Sequence, residues 1–196
     1  MAKPFSQACE NNKKPILKVL TQVLNKTKVL LEIGSGTGQH SVFFAEQLPH
    51  LQWHTSDRAI NHEGINLWHH EANLTNLHAP LELDLNNEWP IDKVDAIYTA
   101  NTFHIVSWQL VERFFDGVKR HLNSDGMLCI YGPFKYQDEF TSPSNDDFSA
   151  FLTERDPLSG IRDFEAVEQL AKQAGLTLIS DTAMPANNQL LVFKRQ

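Results

Sequence analysis

The chain has 196 residues, 41% of them hydrophobic and 21% charged, and a formal net charge of -7. That length suits one domain, spanning residues 1–196, with enough apolar material for a real core, and the composition excludes disordered and fibrous classes. The negative balance, without any clustered run of Lys and Arg, argues against a nucleic-acid partner.

In chain order, residues 1–14 are polar and read as a loose leader without the apolar stretch of a signal peptide. No run approaches the ~20 apolar residues of a membrane span. Cys9 falls in the leader and Cys129 in an apolar run, so no disulfide is expected and a reducing, cytoplasmic setting follows. Pro15 opens a helix whose apolar positions are Ile16, Leu17, Val19, Leu20, Val23 and Leu24. Residues 28–33 form a buried strand, and Gly34, Gly36 and Gly38 follow it at once. A helix carrying Val42 to Leu48 comes next.

The strand-helix pattern then repeats, with strands at 51–55, 81–85, 94–99 and 127–131. Helices are expected at 65–72 and 108–122, and Asp125-Gly126 marks a turn. Residues 135–160 break the rhythm, being mostly polar with Pro143, Pro157 and Gly160, and read as an irregular insert or lid with one short helix near 148–152. A helix over 162–174, capped by Gly175, resumes the pattern. Strands at 176–180 and 189–193 are joined too closely for a crossover helix, so they form an antiparallel pair. The whole reads as an α/β fold, an open and mostly parallel sheet with helices on both faces.

The strongest motif is Glu32-Ile33-Gly34-Ser35-Gly36-Thr37-Gly38-Gln39-His40, between a strand and a helix. Glycines there permit positive φ and close approach of a ligand to the backbone, beyond the carboxyl ends of the strands. A dinucleotide fingerprint wants its third glycine three positions after the second, where this chain has Gln39, and no phosphate-loop Lys follows. That spacing speaks against a nicotinamide oxidoreductase and for a ligand without a pyrophosphate. Asp57, nineteen residues after Gly38, suits ribose hydroxyls, or is a solvated strand-end acid. Asp84 suits an adenine amino group or a solvated position, with Leu83 and Leu85 as core or adenine packing.

These residues resemble the class I S-adenosylmethionine (SAM)-dependent methyltransferases. Glu32 with Gly34, Ser35, Gly36, Gly38 and His40 corresponds to the first motif, Asp57 to the ribose acid and Asp84 to the adenine-side acid. The resemblance implies a Rossmann-like, seven-stranded sheet in the order 3-2-1-4-5-7-6, the seventh strand antiparallel, with SAM as cofactor. A narrower resemblance, to methyltransferase-like protein 26, rests on Asn12 to Leu17, Gly36 to His40, Asn101 with His104-Ile105, and Tyr131 to Phe134. Ser144-Asn145 with Phe148, Arg155 to Pro157, Gly160 to Asp163 and Met184 to Asn188 extend it. The chain departs from that family at Asn11, Ser149 and Ser159, where the pattern has Arg, Asp and an aromatic residue.

The acceptor side is read from the end of the fourth strand. Asn101 positions an acceptor or meets the cofactor, and His104 is either a base near neutral pH or a structural histidine. Tyr131 and Phe134 wall the pocket or pack the core. Asn187 and Asn188 bind a polar ligand or satisfy their own turn, and Arg162 holds a carboxylate or is solvated, with Asp163 as a helix cap. The nine histidines show no metal-ligand spacing, so no metal is expected. The function implied is methyl transfer from SAM to a small-molecule acceptor, with no membrane partner and the oligomeric state open. The alternative is a protein that binds SAM or its demethylated product SAH without transfer.

Overall fold

A computed structural model describes residues 3–196. Leu30 and Leu31 are neighbours on strand β1 (Val29–Ile33) and point to opposite faces of the sheet, and both are fully buried. That is why β1 is an unbroken apolar run rather than an alternating one. It pairs in parallel with β2 (Gln52–Asp57) and with β4 (Val94–Ala100). β3 (Leu77–Glu82) extends the sheet beyond β2, and β5 (Leu122–Gly132) extends it beyond β4.

Four short or edge elements complete the strands: β6 (Phe134–Tyr136), β7 (Glu139–Phe140), β8 (Arg162–Asp163) and β9 (Leu176–Met184). The last, β10 (Asn188–Arg195), runs antiparallel to both β5 and β9. The main sheet has the order β3-β2-β1-β4-β5-β10-β9. Numbering only its seven strands, this is 3-2-1-4-5-7-6 with the seventh antiparallel, the Rossmann-like class I methyltransferase fold.

Each face of the sheet is covered. On one, Leu31, Ile97, Leu128 and Leu191 pack with Phe114 and Val118 of α4 (Trp108–His121) and Val167 and Ala171 of α6 (Phe164–Gln173). On the other, Leu30, Trp53, Tyr98 and Val192 pack with Ile16 and Leu20 of α1 (Gln7–Val23) and Phe44 of α2 (Gln39–Gln47). α3 (Ala59–Ala72) lies beside α2 and β3. No helix among the described residues is long and apolar enough to cross a membrane.

Four expectations are corrected. The polar leader is helical from Gln7, eight residues before Pro15, because Ser6 caps it by accepting from the Cys9 N–H. Pro15 sits inside α1 and forgoes the bond to the Asn11 carbonyl, on an exposed side of the helix. Of its polar start, Cys9 lines the site described below, Glu10 and Asn12 bond to Gln39 and His40, and Gln7, Asn11 and Lys14 face solvent. Segment 135–160 is also ordered. β6 and β7 form a hairpin through Gln137 and Asp138, both at positive φ, and β8 joins β6 in parallel. α5 (Pro143–Arg155) follows, capped by Ser142, with Pro143 in its first turn. Only Asn145 and Leu152 of α5 are buried, so it carries no apolar stripe for sequence periodicity to register.

The third strand is displaced to Leu77–Glu82 and carries Pro80, tolerated because β3 is a sheet edge. Asp84 therefore lies in the loop beyond the strand. The expected turn at Asp125-Gly126 is a bulge inside β5, between the pairs Val94↔Leu122 and Ala96↔Met127.

Gly38 caps α2 at φ +86°, and a β-carbon there would stand 3.1 Å from the Ile65 Cα of α3. Its role is helix packing. Gly38→Ala is expected to destabilise the fold by about 3 kcal/mol through left-handed strain and overpacking, measured by urea unfolding. An unchanged midpoint would show that α3 gives way freely.

Candidate functional site

The glycine loop lies at the carboxyl end of β1, where the connections from β1 and β4 diverge to opposite faces of the sheet. The N–H groups of Gly34 and Ser35 both donate to the Ser56 carbonyl at 3.0 Å. The Gly36 N–H donates to Asp57 Oδ2 at 2.8 Å. These bonds tie the loop to the end of β2 and border a cavity of about 710 Å³.

The cavity is lined by Glu32, Gly34, Ser35, Gly36, His40, Asp57, Asp84 and Asn101 together. Of the proposed cofactor residues, Gly38 alone is not among the lining. The three glycines thus divide the work. A β-carbon on Gly34 would stand 2.8 Å from Thr102 Oγ1, so Gly34 admits the β4 loop. A β-carbon on Gly36, at φ +58°, would meet nothing closer than the Gly34 carbonyl at 4.0 Å, so its open side faces the cavity.

Glu32 is 2% exposed and accepts from Trp53 Nε1 at 2.9 Å. Burial pushes its carboxyl up to about 7; the Trp53 and Ser35 hydrogen bonds oppose this and the Asp57 charge adds to it. Asp57 Oδ1 already accepts from the Arg58 N–H and from Asn61 Nδ2, each at 2.7 Å. Oδ2 carries one donor, so acceptor capacity remains there for a ligand hydroxyl. Asp84 Oδ1 accepts from the Asn86 N–H at 2.8 Å, beside Leu83 and Leu85, which also line the cavity.

His40 lies deep in the floor. Its Nε2 donates to Asn12 Oδ1 at 2.6 Å, and the Tyr98 hydroxyl donates to Nδ1 at 3.4 Å. Burial lowers its pKa to about 4, so the ring is neutral. Asn12 belongs to the segment expected to be a loose leader. The same segment is anchored where Gln39 Nε2 donates to Glu10 Oε1 at 2.9 Å.

The proposed acceptor residues separate. Asn101 lines the cavity with its backbone left-handed at φ 56°, and its N–H donates to the Tyr131 carbonyl. His104 is buried outside the lining, edge-on to Phe148 of α5 at 5.5 Å. Burial, assisted by Arg162 and Arg155, lowers its pKa to about 4. Tyr131 and Phe134 are buried in the two cores and do not line the cavity.

Arg162 is neither solvated nor offered to a carboxylate. Nε donates to the Phe103 carbonyl at 2.9 Å and Nη2 to the carbonyls of Val106 and Leu158. Asp163 caps α6. Asn188 Nδ2 donates to the Pro185 and Ala186 carbonyls of its own turn, and Asn187 Nδ2 donates to Ser144 Oγ.

Sequence reasoning missed Ser6 and Cys9 at the start of α1, Arg58 and Asn61 at the start of α3, and Ile105 and Leu158, all of which line the cavity. Asn61 had a signal: it follows Asp57 by four residues, one helical turn. The others come from elements whose approach to the loop has no local signature. No cluster of three or more His, Cys, Asp or Glu side chains able to hold a metal occurs among the described residues.

The residues suit a nucleoside carrying a cationic group better than a pyrophosphate. Glu32, Asp57 and Asp84 face the cavity, and Arg58 is the one Lys or Arg among the residues lining it.

The same architecture recurs in known structures. An O-methyltransferase family protein from Burkholderia thailandensis superposes with a TM-score of 0.82 at 15% identity, covering 94% of this chain and 56% of that one. An O-methyltransferase family 2 protein from Planctomyces limnophilus, in complex with apigenin, gives 0.82 at 17% identity, covering 96% and 58%. Human N-acetylserotonin methyltransferase in complex with SAM gives 0.80 at 12% identity, covering 96% and 53%. The likeness establishes the class I methyltransferase fold, and this chain spans just over half the length of those proteins. Residues 3–195 match the family described as protein of unknown function DUF938, and the chain belongs to that family.

Because the folded Glu32 carboxyl holds its proton to higher pH than an unfolded one, its contribution to stability is full below about pH 4.5 and is lost as pH rises through 7. His40, His69 and His104, each lowered to about 4, act in the opposite sense: their contribution is full above 6.5 and is lost as pH falls towards 4. Glu32→Gln isolates the first effect. Its stability relative to the parent is expected to rise between pH 4.5 and 7 by about 3 kcal/mol and then level off. Denaturant titrations at several pH values check this, and a pH-independent difference would place the Glu32 titration elsewhere.

Proposed function

We propose that this chain binds SAM in the glycine-loop cavity and transfers its methyl group to a small-molecule acceptor. The observation that carries the reading is the open side of Gly36, facing a cavity whose walls present Asp57 and Glu32 within the class I methyltransferase sheet order. In this reading Asp57 Oδ2 accepts from the ribose, and Leu83, Leu85 and Asp84 accommodate the adenine. Glu32 supplies negative potential for the amino-acid end. When bound, SAM would supply an electrophilic methyl group for the acceptor's lone pair, with its sulfur as the leaving group.

The chain's own part is to hold and align the reactants and to exclude water, the terms that count most in an in-line displacement. Asn101, at the mouth of β4, is placed to orient an acceptor. The segments similar to methyltransferase-like protein 26, among them Asn12 to Leu17 and Gly36 to His40, accord with this assignment.

One observation favours a second reading, a SAM- or SAH-binding protein without transfer. The residue expected to act as a base, His104, is buried under α5 outside the cavity lining. Calorimetric titration of the whole chain with SAM and SAH separates these readings from their absence. Binding is expected for both, and Gly36→Ala is expected to weaken it by about tenfold or more, since its methyl group enters the ligand space. Folded protein that binds neither would overturn both readings. Labelled methyl transfer into fractionated extract, alongside retained binding, distinguishes enzyme from binder.

A further inference from the structure

Seven large apolar side chains are exposed among the described residues; two of them, Ile105 and Leu158, line the cavity, and Phe5, Ile60, Phe148 and Phe151 belong to segments that adjoin its lining. Phe5 precedes the lining residue Ser6, and Ile60 stands between the lining residues Arg58 and Asn61. Phe148 packs on His104, next to Ile105, and Phe151 is one helical turn further along α5. Single exposed apolar residues are ordinary, but Ile105 and Leu158 at one opening, with Phe148 of α5 packed on the adjacent His104, mark a contact surface.

The larger arc is held in place. Ser159 Oγ donates to the Ile105 carbonyl at 2.7 Å, the Gly160 N–H donates to the His104 carbonyl at 2.9 Å, and Arg162 joins the carbonyls of Val106 and Leu158. Leu158 is 65% exposed and Phe151 58% exposed, so ordered backbone presents side chains that nothing in the fold covers.

Resting on the SAM reading above, we propose that this rim is the acceptor subsite and that it takes the aromatic or aliphatic body of a small amphiphile that is neutral or cationic. The charge decides the second half of that statement. Glu32, Asp57, Asp84 and Asp156 face the opening against one Arg58, and the whole chain carries -7. An anionic ligand, a nucleic acid or an anionic membrane surface meets repulsion there. An uncharged body loses only water from its apolar surface and from the rim, which is favourable in proportion to the area covered.

The test uses the whole chain and two fluorescent probes of similar shape, neutral N-phenylnaphthylamine and anionic anilinonaphthalene sulfonate. The neutral probe is expected to bind at one site about tenfold more tightly than the anionic one. Leu158→Glu and Phe151→Glu, both at exposed positions, are expected to weaken the neutral probe about tenfold. Ile179→Glu, on the distant β9 edge, is expected to leave it unchanged. Saturating SAH is expected to leave the probe bound.

Equal probe affinity in Leu158→Glu overturns the proposal, as does displacement of the probe by SAH. So does a dimer of the parent chain, seen by sedimentation, that Leu158→Glu dissociates, because a second copy would then cover the rim. Failure of SAH to bind the parent chain is a separate result that removes the SAM reading, whatever the probes do.

Discussion

The Gly36 N–H donating to the Asp57 carboxylate is the contact on which the site depends. It joins the turn after β1 to the last residue of β2, and the paired bonds from Gly34 and Ser35 to the Ser56 carbonyl reinforce it. A charged acceptor strengthens such a bond to roughly twice a neutral one. Because the loop is pulled towards β2, Gly36 keeps its open side to the cavity while Gly34 turns towards Thr102 and Gly38 towards α3. Three glycines that look alike in the sequence therefore answer three different demands: Gly34 and Gly36 both line the cavity, but only Gly36 leaves the place of a side chain open.

Electrostatics follow from the same arrangement. Glu32 sits two residues before Gly34, inside β1, so forming β1 and the loop buries its carboxyl. Trp53 on β2 offers the compensating donor. Nearby, His40 is kept neutral by burial and is held in place by hydrogen bonds with Asn12 and Tyr98. The floor of the cavity is thus polar but holds little net positive charge. This matches a chain whose overall balance is acidic, and it sets the floor apart from the apolar rim above.

Much of this was legible beforehand, for reasons specific to each element. β1, β4 and β5 are buried on both faces and so appear as apolar runs. α4 and α6 show helical spacing because one side of each meets the sheet. Glu32, the glycines, Asp57 and Asp84 stand within short segments whose spacing reports their local geometry. α1 was obscured at its start because its polar residues Glu10 and Asn12 are directed at Gln39 and His40 rather than at solvent. α5 was obscured because it buries almost nothing. Arg162 and Asn188 looked available for a ligand, yet both are taken up by backbone carbonyls contributed by other turns or their own.

The sequence by itself determined the alternation of strands and helices, the closing antiparallel pair and the cluster of cofactor-type residues, since each depends on neighbours only a few positions apart. The tertiary structure alone decided which of those residues meet. It withdrew His104 beneath α5, brought Ser6, Cys9 and Asn61 to the wall, and set the exposed Ile105 and Leu158 at the same mouth. Those contacts bring to one cavity positions as far apart as Ser6 and Leu158, and no local pattern encodes a distance of that kind. It is set by how the helices settle on the sheet once both faces must be buried.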